Sequence, residues 1–244
     1  MDSPLLVFDL DGTLVDSAPD LIATLAAILP RFGFAADCDP ALRDGIGHGA
    51  RHLIEYALHR QRGAIEPATL DAMHQEFIEY YEANICVETR LNPGLVGLLD
   101  RFAAAGWTFA VCTNKLEGLS RLVLEKLGVA DRFAAVCGGD SFAHRKPEPA
   151  HLLDTIAAAG GAPDRAIMIG DSRTDLDTAR AAHVPVVGVT FGYTPVPMAE
   201  LRPDLLVESF EDLRLDQAMS LLARHAKARA RSRGATSAAE APVS

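Results

Sequence analysis

The sequence predicts an α/β fold, a doubly wound parallel sheet with an inserted helical domain. Three observations predict it. Short runs that are apolar on both faces alternate with longer segments of 3.6-residue period, the pattern of a parallel sheet covered by helices. The first such run is followed by about 80 residues with no convincing strand. Polar residues gather at the ends of the runs, where an open α/β sheet binds its ligands.

The candidate strands are 5–10, 107–112, 133–137, 166–169 and 184–190, with 205–207 at an edge. Between them, helical periodicity places helices near 94–104, opening at Pro93-Gly94, then near 115–127, 148–159 and 173–182. The strand-free interval reads as helices. Leu21, Leu25, Ile28 and Phe32 form one apolar stripe, Leu53, Ile54, Ala57 and Leu58 a second, and Leu70, Met73, Phe77, Tyr81 and Asn84 mark a third. These stripes are packing faces. The expected organisation is a core of residues 1–15 and 89–222, a helical cap of 16–88, and a frayed tail of 223–244.

Composition supports an ordinary globular chain. Of 244 residues, 49% are hydrophobic and 23% charged, with 19 Gly and 14 Pro, which excludes collagen-like, disordered and low-complexity classes. No apolar run approaches the ~20 residues of a membrane span. The chain opens Met1-Asp2-Ser3-Pro4 with no basic residue before its first apolar run, so the expected location is the cytoplasm. Cys38, Cys86, Cys112 and Cys137 are too widely spaced for a zinc site or a stapled miniature and are expected as free thiols. The net charge is -10, and the tail concentrates Arg224, Lys227, Arg229, Arg231 and Arg233 against Glu240, so the body is more acidic still. Such a body disfavours nucleic acid as a partner.

The chemistry lies at the strand ends. The first strand runs out as Val7-Phe8-Asp9-Leu10-Asp11-Gly12-Thr13, two carboxylates before a glycine turn. The second ends Thr113-Asn114 ahead of a helix, where a hydroxyl and free backbone N–H groups suit an anion such as phosphate. His144-Arg145-Lys146-Pro147 precedes the helix near 148, and proline biases Lys146 toward extended backbone. A later strand ends Gly170-Asp171-Ser172-Arg173-Thr174-Asp175, with Asp175 one helical turn beyond Asp171. Singly, Thr113, Lys146 and the Asp171–Asp175 pair each pass as caps or turns. Four strand ends in this order do not.

In this conjunction the sequence resembles the haloacid-dehalogenase-like phosphohydrolase superfamily, from residue 5 to about 213. The family's first motif corresponds to the run from Asp9 to Ser17, its second to Thr113, its third to Lys146 and its fourth to the run from Gly170 to Asp175. The resemblance implies a Rossmann-like core with a helical cap and a Mg²⁺-dependent hydrolysis of a small phosphomonoester. It implies that Asp9 attacks phosphorus to give an aspartyl phosphate, with Mg²⁺ held by Asp9, the backbone carbonyl of Asp11, and Asp171. It further implies Asp11 as general acid and base, Thr113 and Asn114 as phosphoryl grips, Lys146 as charge neutraliser, and Asp175 as the group orienting the metal shell or Lys146.

Within the superfamily, Asp11 together with Asp171 argues against carbon–halogen dehalogenation, which needs neither a leaving-group acid nor a metal. A phosphonatase needs a cap lysine, yet the first lysine is Lys115. A sugar-phosphate mutase is disfavoured for the same reason. A phosphorelay receiver shares the Asp, Thr and Lys vocabulary but is about half as long and lacks a cap; a non-catalytic binding module would not need every motif intact. The segment from Gly45 to Leu53, with Thr113-Asn114-Lys115 and Phe191-Gly192-Tyr193-Thr194, resembles bacterial phosphoglycolate phosphatases. It nominates His48 and Arg51 as partners for a substrate carboxylate, with Lys115 and Arg173 next in line, and relatives acting on pyrophosphate or sugar phosphates as alternatives.

Overall fold

The computed structural model describes residues 3–61 and 65–239. Its core is a six-stranded parallel sheet of β1 (Leu5–Phe8), β4 (Thr108–Cys112), β5 (Ala135–Cys137), β6 (Ala166–Gly170), β7 (Val186–Val189) and β8 (Leu205–Val207), in the order β5-β4-β1-β6-β7-β8. β1 is central because the chain winds first toward β4 and β5 and then crosses back to β6, so the strand order reverses beside it. That reversal opens a crevice at the carboxyl ends of β1, β4 and β6, and the candidate residues lie there.

Strand alternation divides the core into two layers. Leu5 and Val7 face Leu152 and Ile156 of α6 (Pro149–Ala158) and Leu176 and Ala179 of α7 (Arg173–Ala181). Leu6 and Phe8 belong to the other layer, with Leu98, Leu99 and Phe102 of α4 (Leu95–Ala104) and Val123 and Leu124 of α5 (Glu117–Lys126). Full burial of each such side chain stabilises the fold by about 1.5–3 kcal/mol, which fixes β1 firmly beneath the site.

Three helices fill the strand-free interval: α1 (Ala18–Ile28), α2 (Ala50–Arg60) and α3 (Pro67–Ala83), with 3₁₀ segments at Leu29–Phe32 and Pro40–His48. The apolar residues of the predicted stripes join the same apolar cluster as Leu6 and Phe8, with Phe32 half-buried on the 3₁₀ segment, while Asn84, counted in the third stripe, is exposed. The two connections between cap and core pair with each other as β2 (Val15–Asp16) and β3 (Arg90–Leu91), antiparallel. Asp20, in the first turn of α1, accepts hydrogen bonds from Glu88 N at 2.8 Å, Thr89 N at 3.0 Å and Thr89 Oγ1 at 2.6 Å. This buried carboxylate fastens the outgoing strap to the returning one.

Two sequence expectations need correction. β1 ends at Phe8, not at residue 10, because Leu10 O accepts from Thr13 N and Val15 N while Gly12 N donates to Val15 O, closing a tight turn. Gly12 has φ +85°, a left-handed conformation that glycine adopts without strain. At the other end, α9 (Leu215–Ala239) carries the chain as helix through most of the segment expected to fray. Ala218, Leu221 and Leu222 anchor its start in the core, and the following Ala- and Arg-rich stretch has high helix propensity. A short helix α8 (Met198–Leu201) precedes β8.

Candidate active site

Register places the site residues level with one another. Phe8 pairs with Val111 on one side and Ile169 on the other, so Asp9 leaves the sheet beside Cys112 and Gly170, and Thr113 and Asp171 follow one residue on. Asp9 N donates to Ile169 O at 2.9 Å, extending the pairing just past the strand. The Asp9 carboxylate is buried and uses Oδ1 for Leu10 N at 2.7 Å and Lys146 Nζ at 2.9 Å.

Lys146 reaches Asp9 from the loop between β5 and α6, and its peptide bond to Pro147 is cis. Its ammonium also donates to Asp175 Oδ1 at 2.7 Å, and its side chain is 0% exposed. Asp175 Oδ2 in turn accepts from Ser172 N at 3.1 Å and Ser172 Oγ at 2.6 Å, a capping box that starts α7. Both oxygens of Asp175 are therefore engaged, Oδ1 by Lys146 and Oδ2 by Ser172. Burial disfavours the Lys146 cation, but Asp175 and Asp9 together outweigh that and hold its pKa above the ordinary lysine value.

Asp171 accepts from Thr13 Oγ1 at 2.7 Å and Tyr193 N at 2.8 Å. The backbone crowds it: a Cβ on Gly12 would lie 2.5 Å from Asp171 Oδ2, and one on Gly192 2.1 Å from Asp171 Cβ. Loss of solvation, then repulsion from Asp175, pushes the Asp9 carboxyl up to about 8 and that of Asp171 up to about 7. Oxygens of Asp9, Asp171 and Asp175 all lie within 4.8 Å of one another. Converging buried carboxylates, disfavoured as a like-charged group and offering hard oxygen donors, fit a divalent cation such as Mg²⁺.

The Asp11 side chain has different partners. Its carboxylate accepts from Ser17 Oγ at 2.5 Å and from Lys115 Nζ at 3.1 and 3.2 Å. It lines a cavity of about 170 Å³, open to solvent, whose walls include His48, Arg51 and Tyr81 from the cap and Asn114, Lys115 and Arg145 from the core. Thr113 is buried at the end of β4, its Oγ1 accepting from Lys115 N at 3.3 Å. Asn114 Nδ2 donates to Lys146 O at 3.1 Å and to Gly47 O at 3.4 Å, tying the cap loop to the core.

The nominated cap residues are both at this cavity, in different circumstances. His48 Nδ1 lies 3.4 Å from Thr174 Oγ1, and burial followed by the neighbouring His52 lowers its pKa, favouring the neutral ring. Arg51 is already neutralised, with Nη1 2.5 Å from Asp71 and Nε 3.8 Å from Glu55. Sequence reasoning missed Lys115 as the partner of Asp11, and it missed Thr13, Ser172 and Tyr193 as supports for the acidic cluster. Each lies within a segment that carries the resemblance, but the segment alone does not say what its side chain meets. The Tyr193 hydroxyl spans core and cap, donating to Asp16 Oδ1 at 2.6 Å and accepting from Ala18 N at 3.0 Å, a link between residues far apart in sequence.

The model of the family described as haloacid dehalogenase-like hydrolase matches residues 6–189, from β1 through β7, and so includes every motif of the site. The chain belongs to the haloacid dehalogenase-like hydrolase family. This hydrolase is 43% identical to a phosphoglycolate phosphatase of Mesorhizobium japonicum over 91% of its own length and 98% of the relative's. It is 46% identical to one from Agrobacterium fabrum, covering 86% and 91% of the two chains. Among solved structures, that of a predicted phosphoglycolate phosphatase from Haemophilus somnus superimposes with a TM-score of 0.79 at 30% identity, covering 87% of this chain and 96% of that one. A β-phosphoglucomutase from Clostridium difficile shares the fold, with a TM-score of 0.75 at 19% identity over 91% and 98% of the chains.

Proposed function

We propose that this enzyme, a phosphatase, is a Mg²⁺-dependent phosphomonoester hydrolase that works through phospho-Asp9 and converts 2-phosphoglycolate to glycolate and phosphate. The observation that carries the reaction is the Asp9 carboxylate, buried at the crevice, with Lys146 Nζ 2.9 Å away and Asp171 beside it. The substrate is argued from the phosphoglycolate phosphatases at 43% and 46% identity that this chain matches over most of its length.

In this reading an Asp9 oxygen attacks phosphorus in line, the ester P–O bond breaks, and Asp11 gives its proton to the departing alkoxide. Water then attacks the phosphorus, Asp11 takes a proton from it, and the bond to Asp9 breaks to release phosphate. Lys146 balances charge on Asp9 and the phosphoryl group, while Thr113 Oγ1 and the amide of Asn114 grip its oxygens. Mg²⁺, when held by Asp9, the backbone carbonyl of Asp11, and Asp171, neutralises charge gathering on the phosphoryl oxygens. His48 and Arg51 border the leaving-group cavity as candidate substrate contacts, though Arg51 must first part from Asp71. The cap excludes water from the phosphoryl group when closed. Residence in the cytoplasm belongs to the same proposal.

The decisive measurement compares kcat/KM across 2-phosphoglycolate, pyrophosphate, hexose phosphates and p-nitrophenyl phosphate with Mg²⁺. 2-Phosphoglycolate is expected to lead; a higher value for pyrophosphate or a hexose phosphate moves the assignment there. Chelation should abolish turnover and raise the charge repulsion within the acidic cluster, so restoring Mg²⁺ should recover activity and increase Tm together. For Asp171→Asn, the same Mg²⁺ addition should leave Tm nearly unmoved; an undiminished increase would place the cation elsewhere.

Asp11→Asn tests the proton donor. General acid–base catalysis contributes about 10²–10⁴-fold, and a good leaving group needs little of it. Turnover of 2-phosphoglycolate should fall by about that factor and turnover of p-nitrophenyl phosphate by at least about tenfold less. Equal losses would assign the proton transfer to another group.

A further inference from the structure

Lys115 is a buried cation that the reaction as drawn does not use. Its ammonium lies 3.1 Å from Asp11 Oδ1 and 4.4 Å from the ring centroid of Tyr81, which comes from α3 of the cap. Tyr81 is itself 1% exposed, and its hydroxyl has no partner with hydrogen-bond geometry among the described residues. Both residues line the leaving-group cavity together with Asp11. A buried hydroxyl left without a partner forfeits about 1–3 kcal/mol, so its presence at a cavity wall points to a group that arrives there.

The position of Asp11 says which group. If Asp11 protonates the leaving oxygen, that oxygen meets Asp11, and whatever is bonded to the adjacent carbon enters the space where Lys115 already touches the same carboxylate. An ammonium has three N–H donors, enough to hold Asp11 and a second anion. The other cations at this cavity are less suited: Arg51 is paired with Asp71 and Glu55, and Arg145 is exposed. Burial also pushes the Tyr81 hydroxyl up to about 12, so it remains a donor at neutral pH.

We infer that Lys115 and the Tyr81 hydroxyl form a carboxylate subsite, which selects small phosphomonoesters bearing an anionic group on the carbon next to the ester oxygen. The subsite deepens the proposed function and rests on Asp11 as leaving-group acid. One half comes from the core and the other from the cap, so it is complete only with the cap seated, and a correct substrate favours the closed form. A neutral alkyl ester gains nothing from it.

The test measures kcat/KM for 2-phosphoglycolate and for ethyl phosphate, an alkyl ester of similar size without the carboxylate. A wild-type enzyme that does not prefer 2-phosphoglycolate overturns the substrate reading and the subsite with it. Given that preference, Lys115→Met should reduce the ratio of the two values by about 10- to 150-fold, the worth of a charge-assisted hydrogen bond. Tyr81→Phe, which deletes one unpartnered oxygen and leaves the apolar packing, should reduce it by about 5- to 10-fold, roughly one neutral hydrogen bond. Both variants retaining the wild-type ratio, even with lower rates, overturns the subsite while the substrate reading stands, and leaves Lys115 acting only through Asp11. Should Lys115→Met fail to fold, the Tyr81→Phe ratio decides alone.

Discussion

Asp9→Asn is expected to lower kcat by at least ~10³-fold, since removing the nucleophile of a well-studied hydrolase costs as much as ~10⁶-fold. The amide has the same shape and can keep the contact with Leu10 N, but it is a poor nucleophile, so the loss should appear in the chemical step and not in folding. Removing one of three converging buried charges should even increase Tm in the presence of chelator, because Asp9 is disfavoured as an anion by burial and by Asp175. The pair of measurements separates the roles. A variant that retains more than about a tenth of kcat would remove phospho-Asp9 from the mechanism, and a variant that loses both activity and stability would make Asp9 chiefly a structural partner of Lys146.

The sheet was legible because each of its strands is short and apolar on both faces, a pattern that helices and loops of this chain do not imitate. β1 is buried at all four positions, and so is β7. Edges were less legible: the candidate strand 133–137 shrinks to Ala135–Cys137 because Ala130–Arg132 forms a 3₁₀ turn whose exit, Phe133, is not yet paired. The β2–β3 pair escaped notice for a related reason. Two residues per strand carry no periodicity, and only their union across the cap reveals them. The tail misled because its polar composition suits solvent equally well as helix or coil, and the contact that starts the helix, Leu221 and Leu222 against the core, lies just before it.

At the site, the four motifs were legible because the chemistry demands particular residue types at strand ends, and strand ends can be found from periodicity. Their supporting groups were not. Ser172 and Thr13 are common polar residues whose role depends on reaching Asp175 and Asp171 across a turn or between strands. Arg51 looked like a free cation in sequence, since nothing in the chain nearby announces that Asp71, twenty residues on, will meet it. Lys115 is the converse case. Its place beside Thr113-Asn114 marks it in the sequence, but nothing there shows that the fold buries it between Asp11 and Tyr81, two residues that sequence distance keeps apart.

Lys146→Met should be the most destabilising single change in the site. The ammonium is fully enclosed and bonded to Asp9 at 2.9 Å and Asp175 at 2.7 Å, so its loss leaves two buried carboxylates facing each other without a cation. Breaking a buried pair by removing one partner costs about 3–5 kcal/mol. For a domain of this size that corresponds to a Tm lower by roughly 6–20 °C. Activity should fall by about 10²–10³-fold as well, the usual loss when one aimed electrostatic group is removed. The double variant Lys146→Met/Asp175→Asn distinguishes the two effects. It deletes the cation and one stranded anion together, and the amide oxygen that replaces the carboxylate can still accept from Ser172 at the start of α7. Much of the stability should return while activity stays low, because Asp9 still lacks its counter-charge. Recovery of turnover in the double variant would mean that Lys146 serves only to restrain Asp175, and a single variant as stable as wild type would mean that the buried carboxylates are not held as charges at all.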